Sequence, residues 1–591
     1  MSADNGDRRE AGRRIAAVVV LLLLVLVVQL VNLQILSTDR WEKQSRANRI
    51  RPERIKALRG LVRDRHGTLL ATNRPSFSVA VLPYQVKGHP EVLERLGAMI
   101  GVSVSEIQRL VHEDGVHPFD EVRVRRDVDM QIVSRIEERR LDLPGVLVLA
   151  EPVREYPFRE IGCHALGYIA EIGKDELAAK RESGYHPGDE VGRSGVEKTY
   201  EDFLRGKDGK RYIVEDAHGR EFAEIGEDPP TPGSVLVLTL DWKLQAIADS
   251  ALSGHAAGAV VAIDPRTGGV LALASHPGFD PNLFSGGIGA GEWRGLHSDP
   301  MHPLIDRAVQ SSYPPGSTYK LVTASAALED GVITPTTLFR TCSGGYAYGG
   351  RIFHCWEEAG HGQLAVGGAI VHSCDVYFYQ VGERTNLKRF ADASTRLGFG
   401  RKTGIDLPQE SRGLVPTPAY YDQKFGASKW TQGLLLNLAI GQGELLTSPL
   451  QLCRFFGALG MQGEMHAPHL LDRVETWEGK LIEPYRGRAE SFHFSPATWN
   501  VVTAALVDVV EHGTGRGSHI DGIQIAGKTG TAQNPHGLEH AWFVAFAPAE
   551  APEIAVCVIV EQAGHGGTIA APIARRLFEG YFGTIVAMES P

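Results

Sequence analysis

The 24 residues from Ile15 to Thr38 carry no charged side chain, and Ile15–Leu36 is almost wholly Val, Leu, Ile and Ala. As a helix the latter run spans about 33 Å, enough to cross a bilayer once. No comparable run follows it. A cleaved signal peptide has a shorter apolar region, about 7–15 residues, and a small-residue cleavage site. Here the run leads into Ser37-Thr38-Asp39-Arg40-Trp41, so a retained single-pass anchor is expected at 15–36. Arg8, Arg9, Arg13 and Arg14 precede it, and Arg40, Lys43, Arg46, Arg49, Arg51, Arg54 and Lys56 follow. Charge counting does not set the orientation, but long domains translocate regardless of charge. The simplest topology is a cytoplasmic tail at 1–14 with everything after the helix outside. The charged stretch 39–56 reads as a solvated face or a partner surface.

Downstream of the anchor there is room for about three to five folding units at roughly 100–200 residues each. Lys and Arg number 61 against 71 Asp and Glu, a net of −10, which excludes a strongly basic nucleic-acid binder. Hydrophobic residues at 43% and charged residues at 22% exclude a mostly disordered chain.

Residues 76–240 mix short strands such as Phe77–Leu82 with polar helices such as Asp127–Arg140, and Pro229-Pro230-Thr231-Pro232-Gly233 reads as a linker. Beyond it Ser234–Asp241 alternates like a strand and Leu244–Leu252 has helical periodicity. Ala256–Ile263 and Gly269–Ala274 are strand-like runs joined by the turn Asp264–Gly268. A long helical middle, 316–465, precedes further strands within 521–561, where Gly522–Ala526 and Ala541–Ala547 are expected to pair. This order predicts an α+β domain with a sheet discontinuous in sequence.

Pro314-Pro315-Gly316 is a turn, followed by Ser317-Thr318-Tyr319-Lys320 and the apolar run Leu321–Leu328. A helix starting at or just before Ser317 puts Ser317 and Lys320 on one face, within expected hydrogen-bond reach. A serine hydroxyl needs a base to become a nucleophile, and a neutral lysine can be that base. Ser373-Cys374-Asp375 lies 56 residues on and Lys528-Thr529-Gly530-Thr531 lies 211 residues on. A lysine at a strand edge can hold a carboxylate, and the N–H groups of Ser317 and Thr531 can form an oxyanion hole. Lys402-Thr403-Gly404 repeats the last pattern but has no pairing strand after it, so Lys528 is the preferred lysine.

The ordered set Ser-x-x-Lys, Ser-x-Asn/Asp and Lys-Thr-Gly is the signature of penicillin-binding proteins and serine β-lactamases. The chain resembles a class B penicillin-binding protein of the elongation type, penicillin-binding protein 2. Four further segments carry the likeness: Arg59–Gly67, Arg154–Pro157, Gly192–Glu197 and Gly258–Pro265. Asp375, where the wider family usually has Asn, is similar to that subfamily. The resemblance implies an N-terminal pedestal or dimerisation domain at 37–240 and a transpeptidase domain at 241–588, an antiparallel sheet with helices. It implies acyl transfer on D-Ala-D-Ala stem peptides and inactivation by β-lactams. Ser317 is then the nucleophile, Lys320 its base and Ser373 a proton relay beside Asp375. Lys528, Thr529, Gly530 and Thr531 bind the terminal carboxylate. Implied partners are a RodA-type SEDS glycosyltransferase and an MreC-type scaffold, at the inner membrane with the catalytic domain in the periplasm. Alternatives are a septal class B enzyme and a non-catalytic β-lactam sensor or scaffold. A β-lactamase is disfavoured because no deacylating Glu is identifiable.

Cys342, Cys355, His361 and Cys374 are spaced by 13, 6 and 13 residues. Three Cys and one His make a structural zinc set, although no close Cys pair is present and an exported domain can form a disulfide instead. The resemblance adds weight to one structural Zn2+, since some elongation-type relatives look to have ligands at similar spacing. Cys163, Cys453 and Cys557 stand in apolar contexts and read as core residues.

Overall fold

The computed structural model describes residues 4–36, 50–112, 118, 121–215, 221–427, 429–535 and 537–583. The part of the charged stretch from 39 to 49 lies outside them. The chain divides into two compact units, Met1–Leu58 with Gly206–Pro232, and Arg59–Arg205 with Gly233–Pro591.

In the first unit, helix α1 (Asp4–Val31) starts ahead of the apolar run and continues as a π-turn, Asn32–Leu36. Gly12–Ile35 within it is long and apolar enough to cross a membrane, and its side chains are unburied. The unit also holds a three-stranded antiparallel sheet of Ile50–Ile55, Gly209–Glu215 and Glu221–Asp228.

The second unit contains the remaining elements. Strands β1 (Leu69–Val81) and β2 (Val146–Glu155) pair antiparallel within a seven-stranded sheet. Three helices cover one end of β1 with an apolar face that includes Val92, Leu96, Ile107 and Ile136. The segment expected to be one helix, Asp127–Arg140, is divided. Val122–Val128 is a strand with Asp127 at φ +52°, and the helix begins at Met130 behind the N-cap Asp129. The sheet also takes in Val235–Leu238, parallel to Val62–Arg63 and antiparallel to Leu471–Glu475, so distant parts of the sequence share one hydrogen-bonded surface.

Three of the segments that carry the family likeness meet at Glu197, which is buried. Arg59 Nε donates to Glu197 Oε2 at 2.7 Å, Arg154 Nε to Oε1 at 2.7 Å, and Tyr156 Oη to Oε1 at 3.2 Å. Arg59 also donates to Glu201 at 2.6 Å. Burial opposes the charged form of Glu197, but Arg154 and Arg59 hold its pKa below the ordinary value. Asn282 brackets the Tyr156 backbone with two hydrogen bonds of 2.9 Å. Tyr200 Oη donates to Asp406 at 2.5 Å, and Asp406 accepts the N–H groups of Leu470 and Leu471.

Helix α2 (Trp242–Leu252) precedes the hairpin of β3 (Gly258–Ile263) and β4 (Val270–His276). Helices α3 (Lys320–Glu329), α4 (Asp375–Arg384), α5 (Pro449–Gly460) and α6 (Pro496–Glu511) follow, with further short helices and the hairpin Gly345–His354 between them. Strands β5 (Ala526–Ala532), β6 (His540–Ala547) and β7 (Ile554–Val560) and helix α7 (Ala570–Phe582) complete the unit. The five strands form an antiparallel sheet in the order β4-β3-β7-β6-β5. Val260, Ala262, Phe543 and Val558 pack against α2 and α7, while Val261, Trp542, Val544 and Cys557 join the core with α3, α4 and α5. Strand β7, Ile-Ala-Val-Cys-Val-Ile-Val, is buried along its whole length because both faces are covered.

The expected strand Gly522–Ala526 is displaced. The partner of β6 is Ala526–Ala532, with Lys528 opposite Val544. Two glycines weaken its strand signal, and packing demands both. A Cβ at Gly527 would lie 2.6 Å from Phe543 Cζ, and one at Gly530 would lie 2.8 Å from Thr318 Cγ2.

Burial pushes the carboxyls of Asp249 and Asp306 up to about 7. An unfolded aspartate titrates near 3.9, so between about 4 and 7 the folded chain binds more protons than the unfolded one. Stability therefore falls as pH rises through that window. Asp306→Asn, and likewise Asp249→Asn, is expected to lose less melting temperature than the parent between pH 5 and 7.5 in a thermal-shift series.

Candidate active site

Ser317 lies in the 3-10 turn Gly316–Tyr319 that leads into α3. Tight packing places this turn. Gly316 has φ +54°, donates its N–H to Gly441 O at 2.9 Å, and faces the Thr531 carbonyl, 2.6 Å from where a Cβ would stand. A side chain at Gly441 would in turn strike the Gly316 carbonyl. Gln442 Nε2 donates to Thr531 O at 3.3 Å, and Trp542 Nε1 donates to Pro314 O at 3.1 Å. Sequence reasoning missed Gly441 and Gln442. Their signal, the small-residue run Ala439-Ile440-Gly441-Gln442-Gly443, carries no chemistry of its own until the turn packs on it.

Lys320 is fully buried. Its Nζ donates to Ser373 O at 2.7 Å, Ser373 Oγ at 3.2 Å and Asp375 Oδ1 at 2.8 Å. The Lys320 backbone N–H reaches the Ser317 carbonyl, but among the described residues no hydrogen bond joins the Ser317 hydroxyl to the Lys320 amine, contrary to the expectation from spacing. The 3-10 turn sets Ser317 at the helix entrance, while three oxygens of the second motif draw the lysine the other way.

Ser373 has φ +52°. It occupies the position after the helix Val366–Val371 where a glycine usually stands. Cys374 N–H reaches back to Ala369 O and Ser373 N–H to Ile370 O, the pattern of a Schellman cap. The left-handed conformation costs a non-glycine residue about 1–2 kcal/mol. It persists here because Lys320, Cys374 and Asp375 all constrain the turn. Asp375 opens α4, and its Oδ2 accepts the Trp356 N–H at 3.0 Å. Trp356 Nε1 donates to His372 O, which fixes the indole while leaving it 56% exposed.

Lys528 lies on the sheet's edge strand, as expected, but is fully buried rather than open to a ligand. Its Nζ donates to Thr529 O at 3.1 Å. Burial first, then the Lys320 cation, pushes its amine well below the ordinary value. Thr529 is buried, Gly530 abuts Thr318, and Thr531 directs its carbonyl at Gln442. Lys402-Thr403-Gly404 belongs to a separate loop, where Glu410 accepts the Thr403 N–H and hydroxyl at 2.5 and 2.6 Å.

Cys342, Cys355, His361 and Cys374 also converge, with one donor atom from each lying within 4.8 Å of all the others. His361 Nδ1 is 3.8 Å from Cys342 Sγ and 3.5 Å from Cys355 Sγ. Zinc–sulfur bonds of about 2.3 Å in a tetrahedron imply edges of about 3.8 Å, so the donors fit a four-coordinate soft-metal set. None of the six cysteines forms a disulfide, and Cys163, Cys453 and Cys557 are buried as expected.

Residues 258–579 match the penicillin binding protein transpeptidase domain, and residues 54–238 match the penicillin-binding protein dimerisation domain. The chain belongs to the penicillin-binding proteins. It is 35% identical to the peptidoglycan D,D-transpeptidase MrdA of Acinetobacter baumannii, over 93% of this chain and 84% of that one. Among solved structures it is similar to penicillin-binding protein 2 of Helicobacter pylori in complex with MreC. The TM-score is 0.79 at 28% identity, covering 90% of this chain and 99% of that one. It also resembles a chain of a peptidoglycan synthase complex that coordinates polymerisation and cross-linking, with TM-score 0.74 at 31% identity over 98% and 99% of the two chains.

Asp375 answers a buried cation, and removing one partner of a buried pair costs about 3–5 kcal/mol. Asp375→Ala is expected to lose stability on that scale in chemical denaturation. Asp375→Asn keeps one acceptor for Lys320 but sets its amide N–H against the Trp356 N–H, so its loss should fall between the parent and Asp375→Ala.

Proposed function

We propose that this penicillin-binding protein is an elongation-type peptidoglycan D,D-transpeptidase that cross-links stem peptides through a Ser317 acyl-enzyme. The observation that carries the reading is the junction of three motifs. Lys320 binds the second motif directly, and the Ser317 turn is packed against the third by Gly316, Gly530 and Thr531.

Ser317 attacks the D-Ala-D-Ala carbonyl, and Lys320 takes its proton. A proton passed from Lys320 to Asp375 across 2.8 Å leaves the free amine that this step requires. The N–H groups of Ser317 and Thr531 receive the developing oxyanion. Ser373, held at Lys320, passes a proton to the leaving D-Ala nitrogen. The terminal carboxylate meets Thr529 and Thr531, with Lys528 behind them. An amine from a neighbouring stem peptide then releases the acyl group, and water in its place gives carboxypeptidase activity.

Cys342, Cys355, His361 and Cys374 would hold one structural zinc. It supplies no reaction step, since four protein ligands leave no open position. Through Cys374 it would hold the turn that carries Ser373. The pedestal, 37–240, supports the transpeptidase domain, 241–588, and takes an MreC-type partner, in line with one structural relative, and a RodA-type glycosyltransferase, as the family resemblance implies. The anchor at 15–36 supports a single-pass location, read here as the inner membrane with the catalytic domain in the periplasm.

Intact mass after incubation with a penicillin tests the nucleophile. One stoichiometric, slowly released adduct is expected, absent in Ser317→Ala. Lys320→Met should slow its formation by about 10²–10⁴-fold, the usual worth of a general base. Hydrolysed penicillin without an adduct would instead indicate a β-lactamase.

Elemental analysis of the purified protein is expected to find about one zinc per chain, lost in Cys355→Ser. Stripping it with a chelator should lower the melting temperature. A metal-free protein with unchanged melting temperature would remove the structural role.

A further inference from the structure

We propose that Thr514, outside all three motifs, is a positioning residue that aims the Thr529 hydroxyl at the donor peptide's terminal carboxylate. The inference rests on the transpeptidase reading.

Thr514 sits in the turn Gly513-Thr514-Gly515 that follows α6. A Cβ at Gly513 would lie 2.9 Å from Val509 Cα and 3.0 Å from the carbonyl oxygen of Val371, just ahead of Ser373. One at Gly515 would lie 3.1 Å from Val509 Cγ1 and 3.3 Å from the Phe543 ring. The turn is thus wedged between the segment bearing the second motif and the sheet bearing the third. Gly567 closes over it, since a Cβ there would strike the Thr514 carbonyl and lie 3.7 Å from Thr529 Cγ2. Gly567 thus lets the Thr514 backbone lie close to Thr529.

Thr514 Oγ1 lies 2.6 Å from Thr529 Oγ1. Among the described residues neither hydroxyl has a second hydrogen-bond partner. Two hydroxyls carry two protons, and one bond between them uses only one. The other proton is available to a third group. Thr514 is half-buried in its turn, and Thr529 is buried on the edge strand, where either hydroxyl can donate to the other. With Thr514 donating to Thr529, the Thr529 proton is free to point out of the strand edge toward an anion. Such a chain of hydroxyls strengthens its last bond by polarisation. Lys528 does not reach a ligand in place of this pair, because its amine is buried and turned to the Thr529 carbonyl.

The test is stopped-flow acylation of the full-length protein in detergent by a fluorescent penicillin and by its methyl ester. Thr514→Val keeps the shape and removes the donor. It is expected to weaken the pre-covalent affinity for the free acid about five- to tenfold, the worth of one hydroxyl hydrogen bond. The acylation rate at saturation and the reaction with the ester should not change. Thr514→Ser should restore the acid affinity. Thr529→Val and the double variant should behave alike, because Thr514 acts through Thr529. Equal losses for acid and ester, no loss at all, or a double variant weaker than Thr529→Val would overturn the proposal. A parent enzyme that does not distinguish acid from ester would overturn it while leaving the transpeptidase reading intact. A parent that forms no Ser317 adduct with either compound would remove that reading, and this proposal with it.

Discussion

The buried ammonium of Lys320 organises the catalytic half of this protein. A lysine without exposed surface needs partners for its donors, and here the ammonium's hydrogen bonds go to Ser373 O, Ser373 Oγ and Asp375 Oδ1. That requirement joins α3 to the turn before α4 and makes the left-handed backbone of Ser373 sustainable. It also explains why the Ser317 and Lys320 side chains do not bond to each other, although the residues stand only three positions apart. Ser317 is left half-buried in its turn, while Lys320 is committed to the second motif.

Close backbone approach governs the other side of the site. Gly316, Gly441, Gly527 and Gly530 each stand where a side chain would meet a neighbouring strand, turn or ring. Their joint effect is to bring the Ser317 turn against β5 with almost no space between them. An oxyanion hole made from N–H groups of two separate elements needs that proximity. A residue such as Gln442, which ties the Thr531 carbonyl from the far side, then fixes the strand's orientation.

Away from the site, Glu197 does for the pedestal what Asp375 does for the helices. Its carboxylate is buried and shared by Arg59, Arg154 and Tyr156, residues from three separated segments. Buried charges of this kind are costly unless every partner is present, so the segments bearing them are tied to one arrangement. Sequence reading noticed these segments only through resemblance. Their role in common became visible when the fold placed them around one carboxylate.

The sequence by itself determined what local chemistry and hydropathy can encode. The Ile15–Leu36 run specifies a helix long enough for a membrane, because apolar length is a local property. The order Ser317-Lys320, Ser373-Asp375, Lys528-Thr529-Gly530 specifies the three-motif pattern of the penicillin-binding proteins, because residue type and order are read directly from the chain. Apolar runs such as Ala256–Ile263 and Ala541–Ala547 marked strands of the five-stranded sheet. The tertiary structure decided the rest. It moved the last motif into the strand itself, which Gly527 and Gly530 had concealed by their low strand propensity. It buried Lys528, split Asp127–Arg140 at a cap, and brought Cys342, Cys355, His361 and Cys374, a set the sequence had already named, within 4.8 Å of one another. Each of these depends on which surfaces come within a few ångströms, and separation along the chain carries almost no information about that.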